Sequence, residues 1–283
     1  MKLLRFGEPG RERPGLLDGK GGIRDLSGVI ADITPDRLSG AELAKLAALD
    51  PASLPAVGGN PRLGPPVAGV AKIVAVGLNY SDHAIEAGLA VPDEPVLFSK
   101  AVTSLSGPND DVKFPPASRK GDYEAELAFI IGATARHVAK ENALSHVAGY
   151  CICNDVSERG WQLDGTGQWV KGKSYDTWAP LGPWLVTRDE VPDPQNLDIH
   201  LAVNGETRQS GNTKTMIFPV AELVSYISGV MTLMPGDVVI TGTPPGVALG
   251  MKPPGWLQDG DEIHIAISGL GEQRQKVVRL KRV

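Results

Sequence analysis

The sequence is poor in cysteine and in aromatic residues, and it has no long apolar run. Of its 283 residues, two are cysteines and 5% are aromatic. Cys151 and Cys153 lie two positions apart, which gives neither a disulfide framework nor a set of zinc ligands, so we expect two small buried side chains in a reducing compartment. No apolar stretch approaches the ~20 residues that cross a bilayer, and glycine and proline interrupt the first 15 residues too early for a signal peptide. We therefore expect a cytoplasmic protein.

A strong excess of charge of one sign is also missing. Lys and Arg number 28 against 33 Asp and Glu, for a formal charge of -5, and no run of like charges occurs. The sequence therefore predicts that neither nucleic acid nor a membrane is a partner of this protein. What the sequence does have is 34 glycines and 23 prolines, which predict many tight turns, short strands and ordered loops.

Strand patterns outnumber helix patterns and do not alternate regularly with them, which disfavours a doubly wound parallel sheet. A linker rich in Pro and Gly divides a small N-terminal segment, 1–66, from a main body, 67–283. Apolar spacing predicts helices over 39–49, about 140–148 and about 219–231. Apolar runs and alternation predict strands over 72–79, 123–131, 198–203, 237–241 and 262–268, with a hairpin turn at Asn204-Gly205.

Two glutamates stand two positions apart in the strand predicted over 123–131. Glu124 and Glu126 should point to one face, and Leu127, Phe129 and Ile131 to the other. The two carboxylates would repel each other unless something positive lay between them, and a divalent cation would serve. Oxygen ligands suit Mg²⁺, Mn²⁺ or Ca²⁺ better than zinc, and Asp155, which follows an apolar segment, is the candidate third ligand. A solvated acidic strand face is the alternative.

Three further segments carry candidate chemistry. His83 and Glu86 are spaced to meet on one helical turn, where Glu86 would orient His83 as a general base, although a capped surface helix has the same pattern. Lys173 lies in a Gly- and Pro-flanked loop that could place a cation against an anion, or simply in solvent. The turn 241–247 could cradle a carboxylate with its backbone amides, or be only structural. The glycines that flank residues 78–88 predict a lid over the site.

In combination and order, these motifs resemble the fumarylacetoacetate hydrolase family over about residues 67–280. The motifs are His83 with Glu86, F-S-K at 98–100, D-Y-E-A-E-L at 122–127, N-D-V-S-E-R at 154–159, K-G-K-S-Y-D-T at 171–177, N-G-E at 204–206 and P-G-D-V-V-I-T-G-T-P-P-G-V at 235–247. The resemblance implies an α+β fold, a mixed β-sheet roll with few helices and a small N-terminal segment. It also implies a homodimer.

The resemblance further implies a site in which Mg²⁺ or Mn²⁺ is held by Glu124, Glu126 and Asp155 and binds the carboxylate and 2-oxo oxygens of a 2-oxo acid. His83 and Glu86 would activate water, and Lys173 would bind or protonate the enolate that leaves. Further residues match substrate-binding positions: Ser99, Lys100, Arg159, Gln162 and, for the substrate carboxylate, Thr243.

The function implied is cleavage of a C–C bond in a 2,4-diketo acid, giving pyruvate and a second acid. The N-terminal segment and Q-W-V-K-G-K-S-Y-D-T at 168–177 resemble a bacterial subgroup that includes 2,4-diketo-3-deoxy-L-rhamnonate and fuconate hydrolases. Oxaloacetate decarboxylation and isomerisation of a 2-hydroxydienoate are alternatives within the family. A non-catalytic protein that binds metal and 2-oxo acid is the alternative from another class, and the pairing of His83 with Glu86 argues against it, because binding alone needs no general base.

Overall fold

The computed structural model describes residues 1–82 and 90–281, and its largest element is an 11-stranded mixed sheet. Nine strands follow the order β3-β2-β1-β13-β11-β10-β16-β5-β6, while β4 pairs with β1 and β7 with β13. Their bounds are β1 Lys2–Phe6, β2 Arg13–Leu17, β3 Ile23–Asp25, β4 Leu63–Gly64, β5 Ile73–Gly77, β6 Val96–Lys100, β7 Leu105–Ser106, β10 Ala125–Ile131, β11 Val147–Asn154, β13 Ala179–Thr187 and β16 Val238–Ile240. Most pairs are antiparallel, whereas β16 with β5 and β13 with β7 are parallel.

A second sheet of five strands packs against one face of the first through a shared apolar core. Its order is β15-β14-β17-β18-β8, and a small pair, β12-β9, stands apart. The bounds are β8 Val112–Phe114, β9 Gly121–Asp122, β12 Ser157–Glu158, β14 Asp198–Val203, β15 Glu206–Asn212, β17 Glu262–Ile267 and β18 Gly271–Arg279. This arrangement of mixed sheets with few helices confirms the predicted fold class.

Four α-helices lie within the described residues: α1 Gly40–Ala47, α2 Arg159–Leu163, α3 Val170–Lys173 and α4 Val220–Val230. Helix α1 begins after Ser39, whose Oγ accepts the backbone N–H of Glu42 at 3.3 Å, as the predicted cap requires. Residues 140–148 do not form an α-helix. A 3₁₀ helix spans Lys140–His146, and residues 147 and 148 already belong to β11.

Strand β10 is buried on both faces, which explains its unbroken apolar run. Leu127, Phe129 and Ile131 belong to the core shared with the second sheet. Ala128 and Ile130 belong to the core on the opposite face, which includes α1 side chains and both cysteines. The alternation predicted for this strand is therefore confirmed, as is the burial of Cys151 and Cys153 as free thiols.

The N-terminal segment contributes strands to the main sheet. β1 pairs antiparallel with β13, with Lys2 opposite Val186, and β2 and β3 extend the sheet beyond it. The division at residue 66 remains a prediction. Of the helices in the described residues, none has the length and apolarity to span a membrane.

Candidate metal and substrate site

Three buried carboxylates meet where β10 and β11 lie side by side. Glu124 directly precedes β10, Glu126 lies within it, and Asp155 directly follows β11. Because the strands pair antiparallel with Ala125 opposite Asn154, Asp155 falls beside Glu124, and its N–H donates to the Glu124 carbonyl at 2.9 Å. One oxygen from each carboxylate lies within 4.8 Å of the others. The structure thus brings together the three residues predicted as metal ligands.

This donor set fits a hard divalent cation. It consists of carboxylate oxygens alone, which Mg²⁺ and Mn²⁺ accept and which zinc sites seldom use without histidine or cysteine. All three side chains are buried, and buried charge of one sign is costly unless it is balanced. Glu124, Glu126 and Asp155 are therefore the residues that would hold the metal.

Three buried basic side chains contact the same carboxylates. The Lys173 ammonium donates to Glu124 Oε2 and to Asp155 Oδ2, each at 2.7 Å. Lys100 donates to Asp155 Oδ1 at 2.6 Å. Arg159 donates to Glu124 Oε1 at 2.5 Å and to Asp122 Oδ2 at 2.8 Å. Glu124 and Asp155 are thus each paired with two basic groups.

The pKa values of Glu124 and Glu126 are shifted in opposite directions. Burial opposes ionisation of Glu124, but Arg159 and Lys173 outweigh it and lower the pKa of Glu124 to about 2. Burial and the charges of Asp155 and Glu124 raise the pKa of Glu126 well above its ordinary value. Burial also opposes the charge of Lys173, but Asp155 and Glu124 outweigh it and raise the pKa of that ammonium. Of the three carboxylates, Glu126 is therefore the one whose negative charge the described side chains compensate least.

The turn after β16 closes one side of the site. Gly242 has φ +91°, and a Cβ there would lie 3.0 Å from Asn79 Cβ, so the position suits glycine. Its N–H donates to Glu126 Oε2 at 2.7 Å. Thr243 Oγ1 donates to the Ala125 carbonyl at 2.9 Å and accepts from Gln209 Nε2 at 2.8 Å. The turn predicted to cradle a carboxylate thus gives its Gly242 amide to a carboxylate of the protein.

Helices α2 and α3 position the remaining polar groups. Arg159 and Gln162 lie one turn apart on α2, and Arg159 Nη1 donates to Gln162 Oε1 at 2.8 Å. Lys173 ends α3, so the rigid loop predicted to carry it was wrong, and β13 follows from Ala179. The helices touch at Gly172, where a Cβ would lie 2.5 Å from the Gln162 backbone nitrogen. That close contact, rather than loop rigidity, sets Lys173 beside Glu124.

A cavity of about 530 Å³ opens from the carboxylates. Its polar end is formed by Glu124, Glu126, Arg159, Gln162, Lys173 and Thr243. Its other walls are mostly apolar and include Val76, Phe98, Leu163, Trp169, Val247 and Leu249. The Phe98 and Trp169 rings meet edge to face at 5.3 Å. The cavity can therefore hold a small acid with its charged end at the carboxylates and its other end against apolar side chains.

The remaining predicted site residues are placed less directly. Lys100 is buried behind Asp155, where it also donates to the Val156 carbonyl at 3.3 Å. Ser99 is exposed on the opposite face of β6 and is absent from the described cavity lining. His83 and Glu86 lie outside the described residues, as does most of the predicted lid, 78–88. Their roles remain predictions.

Two positions that the sequence reasoning missed are prominent here. Asp122 is fully buried and accepts four hydrogen bonds, from Arg159 Nε and from the backbone N–H groups of Tyr123, Ala248 and Leu249. The alternation of acidic residues at 122, 124 and 126 is the signal that could have revealed it. No local signal marks Trp169 as a cavity wall.

Comparison with known proteins agrees with this geometry. The pattern of the fumarylacetoacetate hydrolase C-terminal domain matches residues 72–278. A Burkholderia multivorans protein, named only as a hydrolase, is 57% identical over 276 residues, which cover 97% of this chain and 98% of that protein.

Solved structures match along the whole length. Fumarylacetoacetate hydrolase from Exiguobacterium antarcticum superposes with a TM-score of 0.88 at 39% identity, covering 99% of this chain and 100% of that one. Maleylpyruvate hydrolase from Sphingobium, solved with manganese(II) and pyruvate, gives 0.82 at 34% with the same coverage. A 2-hydroxyhepta-2,4-diene-1,7-dioate isomerase from Mycobacterium abscessus gives 0.85 at 34% and covers all of both chains. The chain therefore belongs to the fumarylacetoacetate hydrolase family, and it is an enzyme.

Proposed function

We propose that the enzyme is a metal-dependent hydrolase that cleaves the C–C bond of a 2,4-diketo acid to give pyruvate and a second acid. The observation that carries the proposal is the buried set of Glu124, Glu126 and Asp155 at the polar end of a cavity, with the Lys173 ammonium bonded to two of them. The similar maleylpyruvate hydrolase, solved with manganese(II) and pyruvate, supports the same ligand class here.

A divalent cation, Mg²⁺ or Mn²⁺, bound by the three carboxylates would act as a Lewis acid toward the oxygens of the 2-oxo acid. The side chains of the protein supply the rest. Lys173 lines the cavity beside these carboxylates, where it can stabilise and protonate the enolate of the departing pyruvate. Gln162 uses its carbonyl oxygen to accept from Arg159, which leaves its amide N–H groups to orient the substrate. His83 and Glu86 are proposed to activate the attacking water.

The apolar walls bear on the acyl group. Apart from Lys252 and the indole N–H of Trp169, the side chains of these walls, such as Phe98 and Leu249, offer no hydrogen bonds to a chain of hydroxyl groups. We therefore propose acylpyruvates with an apolar acyl chain as the preferred substrates. The alternative substrates are 2,4-diketo-3-deoxy sugar acids of the rhamnonate and fuconate type, and the substrate panel described next distinguishes the two classes.

The test is pyruvate release from a panel of acylpyruvates and 2,4-diketo-3-deoxy sugar acids, with Mg²⁺, Mn²⁺ or EDTA. We expect release that requires metal, is abolished in Glu126→Gln, and persists in Glu222→Gln, a control on an exposed surface pair. No release from any member of the panel would refute the proposal. The similarity to a dienoate isomerase favours one second candidate: loss of dienoate ultraviolet absorbance without pyruvate formation would establish isomerisation instead.

A further inference from the structure

The ammonium of Lys173 bridges two of the three carboxylates that would hold the metal. It lies 2.7 Å from Glu124 Oε2 and 2.7 Å from Asp155 Oδ2. Its side chain is 2% exposed, so water contributes little to neutralising these two acids. A side chain of the protein itself therefore supplies positive charge between these two carboxylates.

The other oxygens of the same two carboxylates are also paired. Glu124 Oε1 accepts from Arg159 at 2.5 Å, and Asp155 Oδ1 accepts from Lys100 at 2.6 Å. Each of the four oxygens thus has a basic partner. A metal ion that coordinates both carboxylates has to share or take oxygens from these side chains, because an ammonium and a metal ion compete for the same lone pairs.

Of the three basic groups, Lys173 is the one best placed to release its carboxylate oxygens to a metal ion. Arg159 is anchored elsewhere by Asp122 and Gln162. Lys100 is covered completely and also bonds a backbone carbonyl. Within the described part of the chain, the Lys173 ammonium donates only to the two carboxylates, and its side chain lines the cavity, 5.2 Å from the Phe98 ring centre. It borders the cavity without such a further anchor, whereas Arg159 and Lys100 are each held by at least one additional hydrogen bond.

We propose that Lys173 is the internal counter-cation of the metal site. Its ammonium holds Glu124 and Asp155 together without metal, releases carboxylate oxygen when metal binds, and turns toward the cavity where the substrate lies. Binding of the metal and movement of the ammonium toward the substrate are then coupled. This inference rests on the metal binding of the proposed function, and not on which bond is cleaved.

The consequence is that neutralising Lys173 improves metal binding. The wild-type protein has to break charge-assisted hydrogen bonds before the metal can use these oxygens, and a Lys173→Met variant does not. Such bonds are strong enough that we expect Mn²⁺ affinity to rise about tenfold or more. Lys173→Arg keeps the charge in a fork that fits two carboxylates, so its affinity should equal or fall below that of the wild type.

The experiment is calorimetric titration of Mn²⁺ into EDTA-stripped full-length protein, with no substrate present. Lys100→Met is the matched control, because it removes an equally buried ammonium from Asp155 but leaves the Lys173 bridge intact. We expect Lys173→Met to gain clearly more affinity than Lys100→Met. Mn²⁺ should also raise the melting temperature of Lys173→Met by more than that of the wild type, since the metal-free variant has lost its counter-cation.

The outcomes separate this inference from the proposed function. Absence of Mn²⁺ binding to the wild type overturns both. Binding by the wild type, with no greater gain in Lys173→Met than in Lys100→Met, overturns only the inference. Should Lys173→Met be unfolded without metal, Lys173→Gln provides a second neutral variant. Recovery of native circular dichroism on addition of Mn²⁺ then supports the inference, and neutral variants that stay unfolded with Mn²⁺ overturn it.

Discussion

Replacing Asp122 with asparagine should destabilise the protein by about 4 kcal/mol, although the side chain keeps its size. The carboxylate accepts two hydrogen bonds on each oxygen: backbone N–H groups of Tyr123 and Ala248 at 2.8 and 2.7 Å, and Leu249 N and Arg159 Nε at 3.1 and 2.8 Å. An asparagine has one carbonyl oxygen and one NH₂ group. Whichever way it is oriented, two buried donors lose their acceptor and face another donor.

The magnitude follows from those two donors. An unsatisfied buried donor costs roughly 1–3 kcal/mol, so two cost about 2–6 kcal/mol. Loss of the negative charge beside the buried Arg159 acts in the same direction, within the range of about 3–5 kcal/mol measured when one partner of a buried ion pair is removed. These costs overlap and are not added. The result is a large fraction of the roughly 5–15 kcal/mol by which folded proteins are stable.

Urea unfolding followed by tryptophan fluorescence measures the change. Asp164→Asn is the control, because Asp164 also pairs with a basic side chain, Lys120 at 2.7 Å, but is 66% exposed, and exposed pairs contribute less than about 1 kcal/mol. We also expect a higher KM for Asp122→Asn, since the Ala248–Gly250 turn that Asp122 holds lines the cavity. Equal midpoints for the two variants would refute the reasoning.

Three further predictions concern packing and the cavity. Gly172→Ala should cost about 1–3 kcal/mol in urea unfolding and lower kcat, because its Cβ would meet the Gln162 backbone; Gly229→Ala, which has open space in α4, is the control in the same unfolding experiment. Trp169→Ala should raise KM roughly tenfold for acylpyruvates with long apolar chains and leave acetylpyruvate nearly unchanged; equal changes would contradict an apolar acyl site. Ser39→Ala should cost about 1 kcal/mol in urea unfolding through loss of its cap on α1, with activity unchanged.

The parts of the fold that the sequence predicts are those determined by neighbours in the chain. Alternation along 123–131 gave β10 to within two residues, the spacing after Pro219 gave α4, and Asn204-Gly205 gave the β14–β15 hairpin. The two carboxylates of Glu124 and Glu126 share a side for the same local reason. Each of these features depends only on hydrophobic periodicity or on a turn preference, and both can be recognised from a few consecutive residues.

The parts that were missed depend on distant partners. Helices α2 and α3 have five and four residues, too few for any apolar period to show, and they are held by contact with each other at Gly172. Strands β11 and β13 are central in the main sheet, but both contain glycine and β13 also contains proline, and these residues weaken a strand pattern. Lys100 meets Asp155 across 55 positions in sequence. No local pattern encodes such a pairing.

The charge balance of the site depends both on the local sequence pattern and on contacts between residues distant in sequence. From the sequence, Glu124 and Glu126 require a positive charge between them, and a metal ion was the simplest source. The structure adds basic side chains to that account: among the described residues, the four carboxylates of Asp122, Glu124, Glu126 and Asp155 face the three basic groups of Lys100, Arg159 and Lys173. With all four acids ionised, the set carries one excess negative charge, and the excess falls on Glu126, which accepts from the Gly242 N–H and has no basic partner among the described residues. A divalent cation would leave one positive charge, which is the complement of a monoanionic 2-oxo acid. The basic residues therefore do more than keep the buried acids ionised: they reduce the number of charges that a metal has to neutralise, so that the loaded site attracts an anion instead of merely tolerating it.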